Sequence, residues 1–155
     1  MLTLAAPAGV CSKLVIAVGN PSRGDDAIGP LLAERLEALG LADVEVLTDF
    51  QLQVEHALDL IGRRTVVFVD ASASGAEPFA LAPVSARADA SFTTHALSPA
   101  AVLGCYGRLK DDDAPRAFVL AVRGYSFGLG QRLSDAARPN LERALAALVG
   151  LLRDM

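Results

Sequence analysis

Cysteine is scarce in this sequence, and its two cysteines, Cys11 and Cys105, lie far apart. They form neither a Cys-x-x-Cys pair nor the Cys/His spacing of a zinc site, which argues against a structural zinc and against a disulfide framework. Cys105 lies within the apolar stretch 101–106. A small buried hydrophobic side chain is a more common role in such a stretch than a reactive thiol.

The sequence also has no excess of positive charge and no long apolar run. Its 14 Lys and Arg are scattered and are outnumbered by 18 Asp and Glu, giving a net charge of −4, which argues against a nucleic-acid partner. No apolar run reaches the roughly 18 residues that span a membrane. Residues 1–12 are apolar but lack a charged start, so we expect a loose lead-in and not a signal peptide. We therefore expect a cytoplasmic protein without a membrane partner.

Repeats, low-complexity tracts and linkers are absent as well, so we expect residues 1–155 to form one domain. Apolar periodicity predicts strands at 14–18, 44–48, 65–70 and 117–122, with a short edge strand at 79–84 because Pro83 cannot donate to a ladder. It predicts helices at 28–39, 51–61, 98–107 and 140–152. Strands alternating with helices indicate an α/β protein: a three-layer α/β/α fold with a mostly parallel twisted sheet and helices on both faces.

The loop after the first strand resembles a phosphate-binding loop, since Gly19, Gly24 and Gly29 punctuate a strand-to-helix turn. However, G-x-G-x-x-G is absent, and so is the lysine of a Walker-type loop. Asp25 and Asp26 would also repel a phosphate at the start of the helix. The simplest alternative is that Asp25 caps the helix and Asp26 is an acidic residue of its first turn.

Asp70 is the last residue of the predicted third strand, which lies beside the first strand in the common order 2-1-3-4-5. We therefore expect Asp26 and Asp70 to be neighbours at the carboxyl edge of the sheet. Two carboxylates in contact repel, so they either share a proton or receive a cation. Taken alone, Asp70 could simply cap a loop.

The sequence offers two imidazoles, His56 and His95. His95 lies in the loop before the helix that Ser98 is expected to cap, so it could complete a set of two carboxylates and one imidazole with open coordination positions. A solvated loop histidine is the alternative. His56 falls within a predicted helix, and we expect it on the surface or in support of a ligand.

The stretch Gly124-Tyr125-Ser126-Phe127-Gly128 matches the G-x-S-x-G nucleophile elbow of serine hydrolases. That elbow requires a histidine later in the chain, and none follows His95. Gly128 and Gly130 also disfavour the helix that should follow the serine. We therefore expect Ser126 not to be a nucleophile.

Taken together, these motifs resemble those of the hydrogenase maturation endopeptidases over nearly the whole chain. The family's G-x-G-N and D-D/E-x-x-G motifs correspond to the stretches 17–20 and 25–29, with Ala17 in place of the first glycine and Asp26 where many relatives have glutamate. The family's strand-end aspartate corresponds to Asp70, and its histidine to His95. The stretches 49–56 and 123–128 are similar to the branch that serves soluble hydrogenases.

The resemblance implies a function, a partner and a set of site residues. The chain would remove the C-terminal extension from the nickel-loaded large-subunit precursor of a [NiFe] hydrogenase. Asp26, Asp70 and His95 would be both the nickel ligands and the catalytic residues, and nickel would arrive with the precursor, without an organic cofactor. We expect a monomer. A metal-binding maturation chaperone that does not cut, and a small-molecule metallo- or serine hydrolase, are the alternatives.

Overall fold

The computed structural model describes residues 9–86, 97–110 and 113–155, and it contains a five-stranded sheet with helices on both faces. The strands are β1 (Lys13–Val18), β2 (Val44–Asp49), β3 (Thr65–Ser72), β4 (Phe79–Val84) and β5 (Arg116–Arg123). The helices are α1 (Ile28–Leu39), α2 (His56–Asp59), α3 (Pro99–Leu109) and α4 (Ala137–Arg153), and a 3-10 turn, Gly24–Ala27, precedes α1. None of the described helices is long and apolar enough to cross a membrane.

Each face of the sheet is covered by one layer of helices, which confirms the predicted three-layer fold. Alternate side chains of β1 enter opposite cores: Val15 packs with α1 and α4, whereas Leu14 and Ile16 pack with α2 and α3. A parallel strand that is covered on both faces needs this continuous apolar run. Cys105 packs half-buried against the second of these cores, and both cysteines are free.

The sheet order is β2-β1-β3-β5-β4, which differs from the common order 2-1-3-4-5 in its last two strands. Only residues 73–78 connect β3 to β4, which is too short for a parallel crossover. β4 therefore runs antiparallel to β5 at the edge, and β5 takes the parallel position beside β3. The predicted edge position of the strand with Pro83 is confirmed, and so is the adjacency of β1 and β3.

Side-chain bonds to the backbone explain where the helix boundaries differ from the prediction. The predicted helix at 51–61 is reduced to His56–Asp59, because Asp49 accepts a bond from the Phe50 amide and His56 accepts one from the Gln53 amide. Ser98 caps α3 by accepting the Ala101 amide, as predicted. α4 begins at Ala137, three residues earlier than predicted.

Gly29, in the first turn of α1, lies so close to β1 that a Cβ added to it would be 2.2 Å from the carbonyl oxygen of Val18. We predict that Gly29→Ala lowers the free energy of unfolding by about 3 kcal/mol, because helix and strand must separate. Gly150, within α4, serves as the control, since a Cβ added there would have no neighbouring atom within 4 Å. Gly150→Ala should raise the stability by about 0.5 to 1 kcal/mol. Urea denaturation measures both, and equal effects would contradict the close packing of α1 on β1.

Candidate functional site

Asp26 and Asp70 line one cavity of about 430 Å³ at the carboxyl edge of the sheet. Asp26 lies in the 3-10 turn after β1, and Asp70 lies near the end of β3, the parallel neighbour of β1. The structure therefore brings together the two carboxylates that the sequence placed at adjacent strand ends.

The rest of the cavity wall is largely apolar. It comes from the ends of β1, β3 and β5, the loop after β2 and the start of α3, including Val18, Leu52, Phe68, Leu97 and Val119. Apolar walls limit the water that can screen the two carboxylates, which strengthens the electrostatic interaction of each carboxylate with a cation.

The loop between β1 and α1 holds the Asp26 side chain in place. The Asn20 amide donates to Asp26 Oδ2 at 2.8 Å, and the Asp26 amide donates to the carbonyl oxygen of Arg23 at 3.0 Å. Gly19 makes this arrangement possible, since a Cβ there would be 2.1 Å from the Asp26 carbonyl oxygen. Asp26 is half-buried, and among the described residues the Asn20 amide is the one donor to its carboxylate.

Asp70 lines the same cavity, and among the described residues its one hydrogen-bond donor is the Ala71 amide, at 2.8 Å from Oδ1. Although Asp70 is an exposed residue, the surrounding protein displaces enough water from its carboxylate to raise the pKa to about 6. The Ala71 amide lowers the pKa and the Asp26 charge raises it, both by less than desolvation does. A cation in the cavity would relieve both unfavourable contributions.

Asp25 has a different role from its neighbour, and the alternative that it caps the helix is wrong. No side chain caps the 3-10 turn or α1. Asp25 is fully buried and accepts hydrogen bonds from Tyr125, Ser126 and Ser134. Burial raises its pKa, but these bonds outweigh that effect and leave the pKa below its usual value. No signal in the local sequence indicated these partners.

The G-x-S-x-G stretch is not a nucleophile elbow in the structure. The Ser126 hydroxyl donates to the side-chain oxygen of Gln131, which also accepts the Gly128 amide. Residues 124–136 contain no helix. Both observations agree with the expectation that Ser126 is not a nucleophile.

His56 is buried, so of the two roles expected for it the surface position is excluded and the supporting role remains. Its Nδ1 accepts the Gln53 amide at 2.8 Å, and its Nε2 lies 3.5 Å from Asp49 Oδ2. These contacts fix residues 50–55, of which Phe50, Gln51 and Leu52 line the cavity. His56 thus supports the wall of the site and does not face the two carboxylates.

His95, the third predicted ligand, lies in 87–96, outside the described residues. Leu97 and Pro99, which follow it in the chain, line the cavity. Within the ranges that the structure describes, no group of three His, Cys, Asp or Glu side chains could hold a metal ion. The described part of the site therefore supplies two carboxylates of the predicted set.

The chain is similar in structure to several solved proteins over more than nine-tenths of its length. A [NiFe] hydrogenase maturation protease, HycI from Thermococcus kodakarensis, matches with a TM-score of 0.67 and 27% identity, covering 94% of this chain and 95% of that one. The hydrogenase maturating endopeptidase HybD from Escherichia coli matches with a TM-score of 0.69 and 22% identity, with 92% of both chains covered. An endopeptidase from Escherichia coli has a TM-score of 0.71 at 24% identity, again covering 92% of each.

No protein-family model matches the sequence, and no curated protein does either. The structural matches nevertheless cover more than nine-tenths of the chain. They confirm the resemblance that the sequence indicated: the chain has the fold of the hydrogenase maturation endopeptidases.

Proposed function

We propose that this protein is an endopeptidase that removes the C-terminal extension from the large-subunit precursor of a [NiFe] hydrogenase. The observation that carries the proposal is the cavity lined by both Asp26 and Asp70, in a fold shared with solved hydrogenase maturation proteases. We further propose that it acts in the cytoplasm as a monomer, and that nickel reaches it as part of the precursor.

The two carboxylates are suited to docking a metal ion that the substrate brings. Oxygen ligands without a thiolate bind nickel less tightly than a site with sulfur or several imidazoles, which favours transient contact over permanent capture. Asp26 and Asp70 hold the nickel of the precursor at the cavity, and we propose His95 as the third ligand. Docking the metal in this way also places the scissile peptide against the site.

Hydrolysis then needs a water molecule and a base. Nickel at this position polarises the scissile carbonyl or lowers the pKa of a bound water. An oxygen of Asp26 or Asp70 that does not coordinate the metal takes the proton from the attacking water and returns it to the leaving amine as the C–N bond breaks. Ser126 does not compete as a nucleophile, because its hydroxyl donates to Gln131 and no imidazole among the described residues contacts it.

Incubation with nickel-loaded precursor tests the function directly. We predict the loss of one C-terminal peptide, seen as a single decrease in the intact mass of the precursor. Precursor without nickel should remain whole even with excess protein, because the carboxylates then have no metal to dock. Binding without a change in mass would instead indicate a maturation chaperone, and efficient cutting of nickel-free precursor would contradict metal docking.

Asp70→Asn tests the role of the carboxylates. It keeps the size of the side chain but removes a charge that faces the cavity, and we predict that processing falls by more than about a hundredfold. Ser126→Ala is the matched control, with processing expected within about threefold of wild type. An Asp70→Asn variant that processes at the normal rate would overturn the assignment, and a hundredfold loss in a folded Ser126→Ala would support a serine hydrolase.

Asp70→Asn should lower activity without lowering the stability of the fold. Because the pKa of Asp70 is raised to about 6, the ionised carboxylate destabilises the folded state above that pH, and protonation removes this cost as the pH falls from 6 towards 4. Asp70→Asn should therefore be at least as stable as wild type at pH 7.5, with an advantage that shrinks by pH 4.5. Thermal denaturation of both proteins at the two pH values measures this, and lower stability at pH 7.5 would contradict it.

A further inference from the structure

Asp25 uses its whole carboxylate to bind one distant segment, which we call the clamp loop, residues 124–134 between β5 and α4. Oδ2 accepts the Tyr125 amide at 2.7 Å, the Ser126 amide at 3.1 Å and the Ser134 hydroxyl at 2.8 Å. Oδ1 accepts the Ser134 amide at 2.7 Å. Hydrogen bonds to an ionised acceptor are about twice as strong as neutral ones. A fully buried carboxylate with four donors has no free position for a metal ion.

Backbone hydrogen bonds join the clamp loop to the loop that carries Asp26. The Asp25 amide donates to Ser126 O at 2.7 Å, and the Gly24 amide donates to Gln131 O at 3.0 Å. In the other direction, the Gly130 amide donates to Ser22 O at 2.7 Å. Together with the bonds to the Asp25 carboxylate, these backbone bonds join the clamp loop and the loop that carries Asp26 into one unit.

Close packing leaves this unit little freedom to move. A Cβ on Gly124 would lie 2.7 Å from Asp25 Cβ, so the backbone of the clamp loop packs directly against Asp25 with no room for a side chain at this position. Gly19, which follows β1, packs as closely against the Asp26 carbonyl oxygen, since a Cβ there would be 2.1 Å from it. The backbone of Asp26 is therefore confined between β1 and the segment anchored by Asp25, while its side chain receives the Asn20 amide.

We propose that Asp25 is a positioning residue, which fixes the turn so that the Asp26 carboxylate stays against the Asn20 amide at the cavity. It acts through Asp26 and does not bind metal. Its effect on catalysis rests on the proposed function, whereas its effect on the position of Asp26 does not. The sequence gives adjacent aspartates two separate tasks: Asp25 binds protein, and Asp26 faces the cavity.

Asp25→Asn tests the proposal. It keeps the size of the side chain but replaces one accepting oxygen with an NH2 group, which cannot accept hydrogen bonds from the four donors around it. The readout is the Asn20 amide, observed by NMR at a temperature where circular dichroism shows the variant folded. We expect its chemical shift to change and its hydrogen exchange to accelerate by at least about tenfold relative to amides of β3. Asp135→Asn, the same change at a fully exposed neighbour of the clamp loop, should leave the Asn20 amide unchanged.

If Asp25→Asn does not fold, Ser134→Ala removes one of the four donors and should shift the Asn20 amide in the same direction by less. Ser134→Thr, which keeps the hydroxyl, should restore the wild-type signal. An unchanged Asn20 amide in folded Asp25→Asn, or in Ser134→Ala, would overturn the positioning role.

Kinetics with nickel-loaded precursor provide a second, independent readout. We expect Asp25→Asn to lower kcat by at least about tenfold, since a displaced Asp26 leaves the nickel and the scissile peptide out of position for the reaction. We expect KM to rise as well, because Asp26 also docks the precursor. An unchanged kcat would overturn the catalytic part of the inference. If wild-type protein cuts no precursor while the Asn20 amide responds as expected, the proposed function fails and the positioning role stands.

Discussion

The parallel pairing of β1 with β3 is the constraint on which the candidate site depends. The stretch Lys13–Ala17 pairs in register with Thr65–Val69, and almost all of these side chains are buried between two helical layers. A shift by one residue would send each side chain into the opposite core, so packing fixes the register. The turn that carries Asp26 and the end of β3 at Asp70 must then meet at one edge of the sheet.

Three aspartates near this edge show how surroundings decide what a carboxylate does. Asp25 is buried with four donors, and its pKa is lowered despite desolvation. Asp70 is less enclosed, but it has one donor among the described residues and a carboxylate neighbour in Asp26, and its pKa is raised to about 6. Among the described residues, the fold thus gives the buried carboxylate four donors and each of the two carboxylates at the cavity only one, which is typical of sites that receive a ligand.

Much of the fold and part of the site could be predicted from the sequence, because they follow from local patterns. The apolar runs of β1 and β3 and the helical spacing of α1 depend on near neighbours, and Ser98 caps α3 from within its own first turn. The common strand order, in which β3 lies beside β1, then placed Asp26 near Asp70. The absence of a histidine after Ser126 was enough to reject the nucleophile elbow.

The sequence by itself determined the three-layer fold and the two carboxylates at the cavity, Asp26 and Asp70. Only the tertiary structure decided which residues anchor the turn that carries Asp26. The partners of Asp25 lie 100 to 109 residues away, so no local pattern indicates them. The same holds for the insertion of β5 between β3 and β4, and for the burial of His56 beside Asp49. Periodicity reports which face of an element is apolar, but hydrogen bonds between distant loops form only after the sheet has brought their ends together.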